Sequence, residues 1–140
     1  MNLKELAKRL IPDENLLEPE EYESIYPQRQ LPKGAQVTRL APSPTGFIHL
    51  GNLYSALADE RCAHTTWGIF YLRIEDTDEK RKVEGAVESV IRSLKYFGIK
   101  FDEGAEIESP LNKYGPYYQR ARAQIYRSFV KRLIEQGLAY

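Results

Sequence analysis

The sequence contains very little cysteine and no long apolar run. Cys62 is the single cysteine among 140 residues, so an internal disulfide is excluded. No stretch approaches the roughly 20 apolar residues that a membrane helix needs. Near the amino terminus Lys4, Glu5, Lys8 and Arg9 stand where a secretory signal would be apolar. These absences predict a cytoplasmic protein that makes no contact with a membrane.

Charge of one sign is not in excess either. Twenty Lys and Arg residues balance 20 Asp and Glu residues, so no net basic field points to a polyanionic partner. A local basic patch could still bind RNA. Hydrophobic residues make up 42% of the chain, which is typical of an ordinary globular domain of this length.

Residues 1–35 differ in character from the rest of the chain. They begin with a short predicted helix and continue as an acidic stretch punctuated by proline, residues 12–32. One face of the predicted helix carries Leu3, Leu6, Ala7 and Leu10. We interpret residues 1–35 as an N-terminal extension that packs on the surface of a domain formed by residues 36–140.

A strand, a helix and a second strand are predicted between residues 36 and 74. The β-prone segment 36–41 ends before Pro42, because the residue before a proline favours extended geometry. Asn52 is a good N-cap type and is predicted to open the helix, on which Cys62 is expected to pack inward. Segment 68–74 is rich in branched and aromatic residues. This βαβ unit predicts parallel strands with a right-handed crossover.

Two further helices are predicted from apolar stripes. The stripe of the first consists of Val83, Val87, Val90, Leu94 and Phe97, with Gly98 as a C-terminal cap. The stripe of the second consists of Ala121, Ile125, Phe129 and Leu133, and Gly137 is predicted to end that helix. We expect the first of these helices to cover the sheet.

A polar cluster follows the first strand, at the sheet edge where parallel α/β proteins bind their ligands. It consists of Arg39, Ser43, the pair Pro42 and Pro44, and then His49, Gly51 and Asn52 in the segment that starts the helix. Free amides at a helix start attract anions, and Gly51 would let a phosphate approach the backbone. His49 could donate a hydrogen bond to phosphate oxygens. The alternative is that His49 only caps or packs against the helix.

A second polar cluster follows the second strand and consists of Arg73, Glu75, Asp76, Thr77 and Asp78. Glu75 could hold an ammonium group while Arg39 holds a carboxylate, an arrangement that suits an amino acid. Alternatively, Arg39 and Glu75 pair with each other, and Asp76 and Asp78 are solvated turn residues that cap the next helix.

Several motifs, taken in order, resemble the catalytic core of class I glutamyl-tRNA synthetases. They are TRLAPSPTG at 38–46, HLGN at 49–52, LRIEDTD at 72–78, FDEG at 101–104 and YGPY at 114–117. The resemblance extends over residues 37–140. It implies an α/β fold with a partial Rossmann-type parallel sheet flanked by helices, in which residues 36–140 form the N-terminal half of the catalytic domain.

The resemblance also implies a reaction. ATP activates glutamate as glutamyl adenylate, and the glutamyl group then passes to the 3′ end of tRNA(Glu). The glutamate-binding residues would be Arg39, Ser43 and Glu75. The ATP-binding residues would be Pro42, His49, Gly51 and Asn52, of which the last three match the catalytic HIGH motif with Asn52 in place of its final histidine. Mg²⁺ is expected with the nucleotide, but no residue is assigned as its ligand.

The sequence departs from the family pattern at three places, one of which is the first 35 residues, longer than the short start typical of many members; the family also continues beyond residue 140. Phe101 stands where tryptophan is usual, and QRAR at 119–122 differs from the familiar QSER. The KMSKS loop and any anticodon-binding region would follow residue 140. We therefore expect the 140-residue chain alone to be inactive and to self-associate through an exposed sheet edge or apolar helix faces.

Three other functions remain open at this point. The first is a shortened paralogue, glutamyl-queuosine tRNA(Asp) synthetase, which shares these motifs. A glutaminyl-tRNA synthetase is disfavoured by the residues at 75–78. From a different class, the chain could be a noncatalytic nucleotide- or RNA-binding fragment.

Overall fold

A computed structural model describes residues 2–12, 15–81 and 83–139. These residues form five α-helices and three β-strands. In chain order they are α1 (Leu3–Leu10), α2 (Pro19–Ile25), β1 (Val37–Leu40), α3 (Leu50–Thr65), β2 (Ile69–Leu72), α4 (Ala86–Tyr96), β3 (Glu103–Gly104) and α5 (Ala123–Glu135). Short 3-10 helices lie at Glu79–Arg81 and Arg120–Arg122.

The three strands form a parallel sheet in the order β1-β2-β3. Val37 pairs with Ile69 at one end of the β1–β2 ladder, and Leu72 pairs with Gly104 between β2 and β3. The predicted βαβ unit is confirmed, because β1, α3 and β2 follow one another and the two strands are parallel. The fold class inferred from the sequence, a partial α/β sheet with flanking helices, is therefore confirmed.

The hydrophobic core forms where the sheet meets α3 and α4. Phe70 and Leu72 from β2 are fully buried, and burial of each side chain contributes about 1.5–3 kcal/mol. Ala56 of α3 packs in the same cluster, as do Val90 and Leu94 of α4. The expectation that the helix bearing Val90 and Leu94, α4, packs against the sheet is confirmed.

The boundaries of α4 differ from those predicted. Val83 precedes the helix, and its backbone N–H donates to the carbonyl of Pro44. Gly85 then adopts the left-handed region at φ 72° before the helix begins. Phe97 follows the helix and is 57% exposed, so the buried stripe is shorter than the sequence predicts. Gly98 has φ 78°, as expected for a C-terminal capping position.

The prediction that Cys62 packs inward is wrong, because Cys62 is exposed. Ala56, Glu60 and Ala63 are the buried residues of α3, and their spacing of four and three defines its inner face. Cys62 lies outside that face. The orientation of this side chain is set by its position around the helix axis and not by its small size or apolar character.

The chain divides into two compact units. One contains Met1–Gln28 together with Ala121–Tyr140, and the other contains Arg29–Arg120 and includes the whole sheet. The sequence-based division after residue 35 remains a prediction. None of the helices in the described part of the chain is long and apolar enough to span a membrane.

In the first unit, α1 and α2 contact α5. Ala7, Ile11 and Ile134 form a small buried cluster there. The Ser128 hydroxyl donates to the carbonyl of Leu17 at 2.7 Å. The buried residues of α5 are thus Ser128 and Ile134, whereas Phe129 of the predicted stripe is 39% exposed. The predicted stripe of α5 is therefore not its buried face.

Candidate functional site

The two polar loops predicted from the sequence meet at the carboxyl ends of β1 and β2. The backbone N–H of Glu75 donates to the carbonyl of Pro42 at 3.0 Å, and the N–H of Arg73 donates to the carbonyl of Leu40 at 3.0 Å. These bonds continue the parallel ladder one step beyond the strands. They bring residues 39–43 beside residues 73–75.

A cavity of about 300 Å³ opens at this edge of the sheet. Four of the predicted site residues line it: Pro42, Ser43, His49 and Asn52. Arg39, Gly51 and Glu75 are not among its lining residues. The cavity walls also include residues 45–48 of the loop and Val90 of α4.

The N-cap of α3 is His49, not Asn52 as the sequence suggested. His49 is the N-cap, and its Nδ1 accepts a hydrogen bond from the Gly51 N–H at 3.2 Å. Asn52 reciprocates as the third helical residue, because its Oδ1 accepts from the His49 N–H at 3.2 Å. This capping box satisfies two backbone donors that otherwise lack partners at the helix start.

The capping role of His49 determines which of its ring nitrogens can donate a hydrogen bond to a ligand. Because Nδ1 accepts a hydrogen bond, the neutral imidazole carries its proton on Nε2, which is then available as a donor. Capping and donation to a ligand are therefore compatible in one side chain. The Gly51 amide is engaged by His49 rather than free, which corrects the expectation of unoccupied amides at this position.

Gly51 also has a packing reason to lack a side chain. A Cβ at this position would lie 3.0 Å from Cε1 and 3.1 Å from Nδ1 of His49. A larger residue would press on the imidazole and disturb the cap. The sequence suggested only close approach of a phosphate as the reason for this glycine.

The Glu75 carboxylate lies between two guanidinium groups. Arg73 Nη2 donates to Glu75 Oε1 at 3.2 Å, and Arg39 Nη2 lies 3.9 Å from the same oxygen. The side chains of Arg39 and Glu75 are 36% and 35% exposed, so their pairing is weak in energetic terms. The alternative in which Arg39 and Glu75 pair with each other therefore describes the observed arrangement of these two side chains.

A further carboxylate lies near Arg39. Burial raises the pKa of Asp59, and the positive charge of Arg39 acts in the opposite direction. The backbone carbonyl of Asp59 accepts a hydrogen bond from the Thr38 hydroxyl at 2.7 Å, which links α3 to β1. Arg39 thus lies near two carboxyl groups, Asp59 on α3 and Glu75 after β2.

Asp76 and Asp78 both accept hydrogen bonds from backbone N–H groups. Asp78 Oδ1 accepts from the N–H groups of Lys80 and Arg81, and the Arg81 side chain lowers the pKa of Asp78. Asp76 Oδ1 accepts from the Arg120 N–H at 2.9 Å. Asp78 thus caps the 3-10 helix that follows it, as the alternative predicted, whereas Asp76 accepts from a backbone N–H 44 residues away instead of capping that helix. Among the described residues, no group of three or more His, Cys, Asp or Glu is placed to hold a metal ion.

One buried ion pair in this unit was not predicted. Glu103 in β3 is fully buried, and Arg29 contacts both of its carboxylate oxygens. The two residues are 74 positions apart, and Arg29 falls in the predicted N-terminal extension. No local pattern in the sequence links them.

Comparison with known proteins adds an independent finding. Residues 36–140 match the family described as tRNA synthetases class I (E and Q), catalytic domain. The chain is 56% identical over 140 residues to the glutamate–tRNA ligase of Acetivibrio thermocellus and 51% identical over 141 residues to that of Clostridium perfringens strain 13. Each alignment covers 100% of this chain and 26% of the relative.

Solved structures give the same result. The crystal structure of the glutamate-tRNA synthetase from Elizabethkingia anophelis is similar with a TM-score of 0.66 and 39% identity, and the match covers 72% of this chain and 20% of that chain. A glutamate tRNA ligase from Elizabethkingia meningosepticum, crystallised in complex with its amino acid, is similar with a TM-score of 0.61 and 39% identity over 73% of this chain and 20% of that chain. The chain thus spans about a quarter of the length of the ligases it matches in sequence.

Proposed function

This chain belongs to the class I glutamyl-tRNA synthetase family, and we propose on that basis that it supplies the N-terminal part of a site where ATP activates glutamate. In the proposed reaction the α-carboxylate of glutamate attacks the α-phosphate of ATP and pyrophosphate leaves. The glutamyl group then passes to the 3′ end of tRNA(Glu). The reaction would take place in the cytoplasm.

The observation that carries this proposal is the meeting of the two polar loops at one edge of the sheet. The Glu75 N–H donates a hydrogen bond to the carbonyl of Pro42, and Pro42 lines the cavity together with Ser43 and His49. A ligand in the cavity would therefore have a histidine donor on one side and the charged pair of Glu75 and Arg39 nearby.

We propose that glutamate replaces the loose contact between Arg39 and Glu75. The side-chain carboxylate of the substrate would bind Arg39, and its ammonium group would bind Glu75. Ser43 would supply a hydroxyl at the same edge. Loss of the 3.9 Å contact costs little, because an exposed ion pair contributes about 0–1 kcal/mol. Arg73 stays within hydrogen-bonding distance of Glu75 and keeps that carboxylate oriented.

ATP would bind against the start of α3. His49 Nε2–H would donate to phosphate oxygens, and the helix dipole would favour their negative charge. Pro42 and Asn52 line the cavity on either side of His49 in sequence, and Gly51 leaves room for the imidazole. Mg²⁺ is expected to accompany the nucleotide, held mainly by its phosphates, and we assign no protein ligand to it.

The relatives favour the synthetase over the other functions left open by the sequence. The relatives from Acetivibrio thermocellus and Clostridium perfringens are named glutamate–tRNA ligase, and their alignments include the N-terminal 35 residues of this chain. Because those ligases are about four times longer, we propose that the 140-residue chain alone does not catalyse the reaction.

The proposal is tested by glutamate-dependent exchange of pyrophosphate into ATP, measured in the full-length gene product with tRNA present. Arg39→Gln is expected to raise KM for glutamate roughly 10- to 150-fold, because a hydrogen bond to a charged group is worth about 1.5–3 kcal/mol. Arg92→Gln, at an exposed arginine of α4, is the matched control and should leave KM unchanged. Exchange that proceeds without glutamate, or an Arg39→Gln enzyme with normal KM, would contradict the proposal.

A further inference from the structure

The buried Glu103 carboxylate is held by a side chain from outside the region that matches the family. The match begins at residue 36, and Arg29 precedes it. Arg29 Nη1 donates to Glu103 Oε2 at 3.0 Å, and Nη2 donates to Oε1. Glu103 has no exposed surface and the Arg29 side chain is 19% exposed, so the pair is largely removed from water.

The same guanidinium also contacts an aromatic ring. The Arg29 Cζ atom lies 3.7 Å from the centroid of the Tyr114 ring, a distance typical of a cation–π contact. Arg29 therefore binds β3 and the segment that follows it at the same time. A lysine could supply the charge, but not the planar fork that makes both contacts.

The segment that follows β3, residues 114–119, is hydrogen-bonded to Ile74, which lies just after β2 and next to Glu75. The Ile74 N–H donates to the Tyr117 carbonyl at 2.9 Å, and the Gln119 N–H donates to the Ile74 carbonyl at 2.9 Å. The ring centroids of Tyr71 and Tyr117 also lie 6.3 Å apart. Ile74 is thus held on both of its backbone polar groups by residues 117–119.

Glu103 reaches the same strand by a second route. It is the register partner of Tyr71 in the β2–β3 ladder, four residues before Glu75. Burial and the neighbouring Glu103 carboxylate raise the pKa of Tyr117 to about 12, which is consistent with close packing of these groups. A disturbed Glu103 would therefore act on β2 directly and through residues 114–119.

We propose that Arg29 is a positioning residue for the glutamate site: by clamping Glu103 and Tyr114 it holds residues 114–119 against the end of β2 and so fixes Glu75. The inference rests on the proposed function for the role of Glu75. It extends the functional unit to a residue in the N-terminal extension. Arg29 itself does not touch the substrate.

Two variants of the full-length gene product test this role. Arg29→Lys keeps the charge and loses the fork, whereas the double variant Arg29→Met/Glu103→Met removes both charges and leaves no unpaired buried carboxylate. Both are expected to raise KM for glutamate on the order of tenfold to a hundredfold, because small displacements of a binding group are costly. KM for ATP should change much less, since His49 is held by hydrogen bonds with Gly51, Asn52 and Leu53 at the start of α3.

Hydrogen–deuterium exchange of the same proteins gives a readout that does not depend on activity. The amides of Ile74 and Gln119 should exchange faster in both variants, whereas those at the start of α3 should not. Arg132→Lys is the matched control. The Arg132 guanidinium also donates to two carboxylates, those of Glu18 and Glu20, but it lies in the other unit of the chain. This variant should change neither KM nor the exchange of Ile74.

Several results would overturn the inference. A folded double variant with normal KM for glutamate would do so, and so would a parallel loss of glutamate and ATP affinity together with thermal stability, which indicates a purely structural role. If the wild-type enzyme itself shows no dependence on glutamate, the proposed function fails. The exchange rates of Ile74 and Gln119 then decide whether Arg29 fixes this edge of the sheet.

Discussion

Substitution of His49 should separate the two roles that the structure gives this residue. His49→Ala removes both the N-cap acceptor and the Nε2–H donor. His49→Asp retains an acceptor for the helix amides, and its negative charge suits a helix N-terminus, but it cannot donate to a phosphate. The Ala variant should therefore lose stability and activity, whereas the Asp variant should lose activity alone.

The magnitudes follow from the contacts. Loss of the 3.2 Å bond from Gly51 N–H to His49 Nδ1 should cost about 0.5–2 kcal/mol of unfolding free energy in the Ala variant. Loss of a donor to a charged phosphate, worth about 1.5–3 kcal/mol, should slow adenylate formation roughly 10- to 150-fold. The Asp variant should be slower still, because it places a like charge beside the phosphates.

Denaturant unfolding and glutamate-dependent pyrophosphate exchange on the same full-length variants measure the two effects. A His49→Asp enzyme with wild-type exchange activity would refute the role of Nε2 as a phosphate donor. A His49→Ala protein as stable as wild type would refute the capping role. Either result would mean that the two functions of His49 are assigned incorrectly.

Three further outcomes are expected. Gly68→Ala should destabilise the protein by about 3 kcal/mol or more in thermal or denaturant unfolding, because its Cβ would lie 1.8 Å from the Gln36 carbonyl oxygen, and an unchanged unfolding transition would contradict the β1–β2 register. The hydrogen bond from Arg132 lowers the pKa of Glu20, so this pairing stabilises the fold above the ordinary pKa of the carboxyl group and is lost as pH falls through the lowered one. In Arg132→Met, an NMR titration should show Glu20 protonating at higher pH, and an unchanged titration would exclude the pairing. The 140-residue chain should self-associate through β1, the edge strand of the sheet formed by the described residues, where Val37 is 45% exposed, and a monomer at all concentrations in sedimentation would contradict this.

The sequence predicted those features of the site that depend on local pattern and on parallel topology. Segments 36–41 and 68–74 contain β1 and β2, and parallel strands bring their carboxyl ends to one edge. Arg39 and Glu75 are close for that reason. No knowledge of side-chain packing was needed for this part of the prediction.

The parts that failed depend on geometry at a finer scale. Asn52 is a common capping residue, but the helix begins three residues earlier, because His49 caps it with a ring nitrogen. A histidine is not among the usual capping types, so residue preference pointed to the wrong position. The helical phase of Cys62 was missed for a similar reason, since size and polarity do not specify which face a residue occupies.

Long-range pairing was also beyond the sequence. The contact between Arg29 and Glu103 joins residues that share no periodic element, and the packing of Met1–Gln28 with Ala121–Tyr140 joins the two ends of the chain. Each requires a partner to be chosen among many residues of similar chemistry. Charge and hydrophobicity alone do not make that choice.

The structure of the full-length gene product with a nonhydrolysable glutamyl-adenylate analogue tests the central claim most directly. We predict that the analogue's side-chain carboxylate lies within hydrogen-bonding distance of the Arg39 guanidinium and its amino group within that distance of Glu75. The phosphate should accept from His49 Nε2. An analogue bound away from the carboxyl ends of β1 and β2, or one that leaves the Arg39–Glu75 contact in place, would contradict the proposed glutamate site.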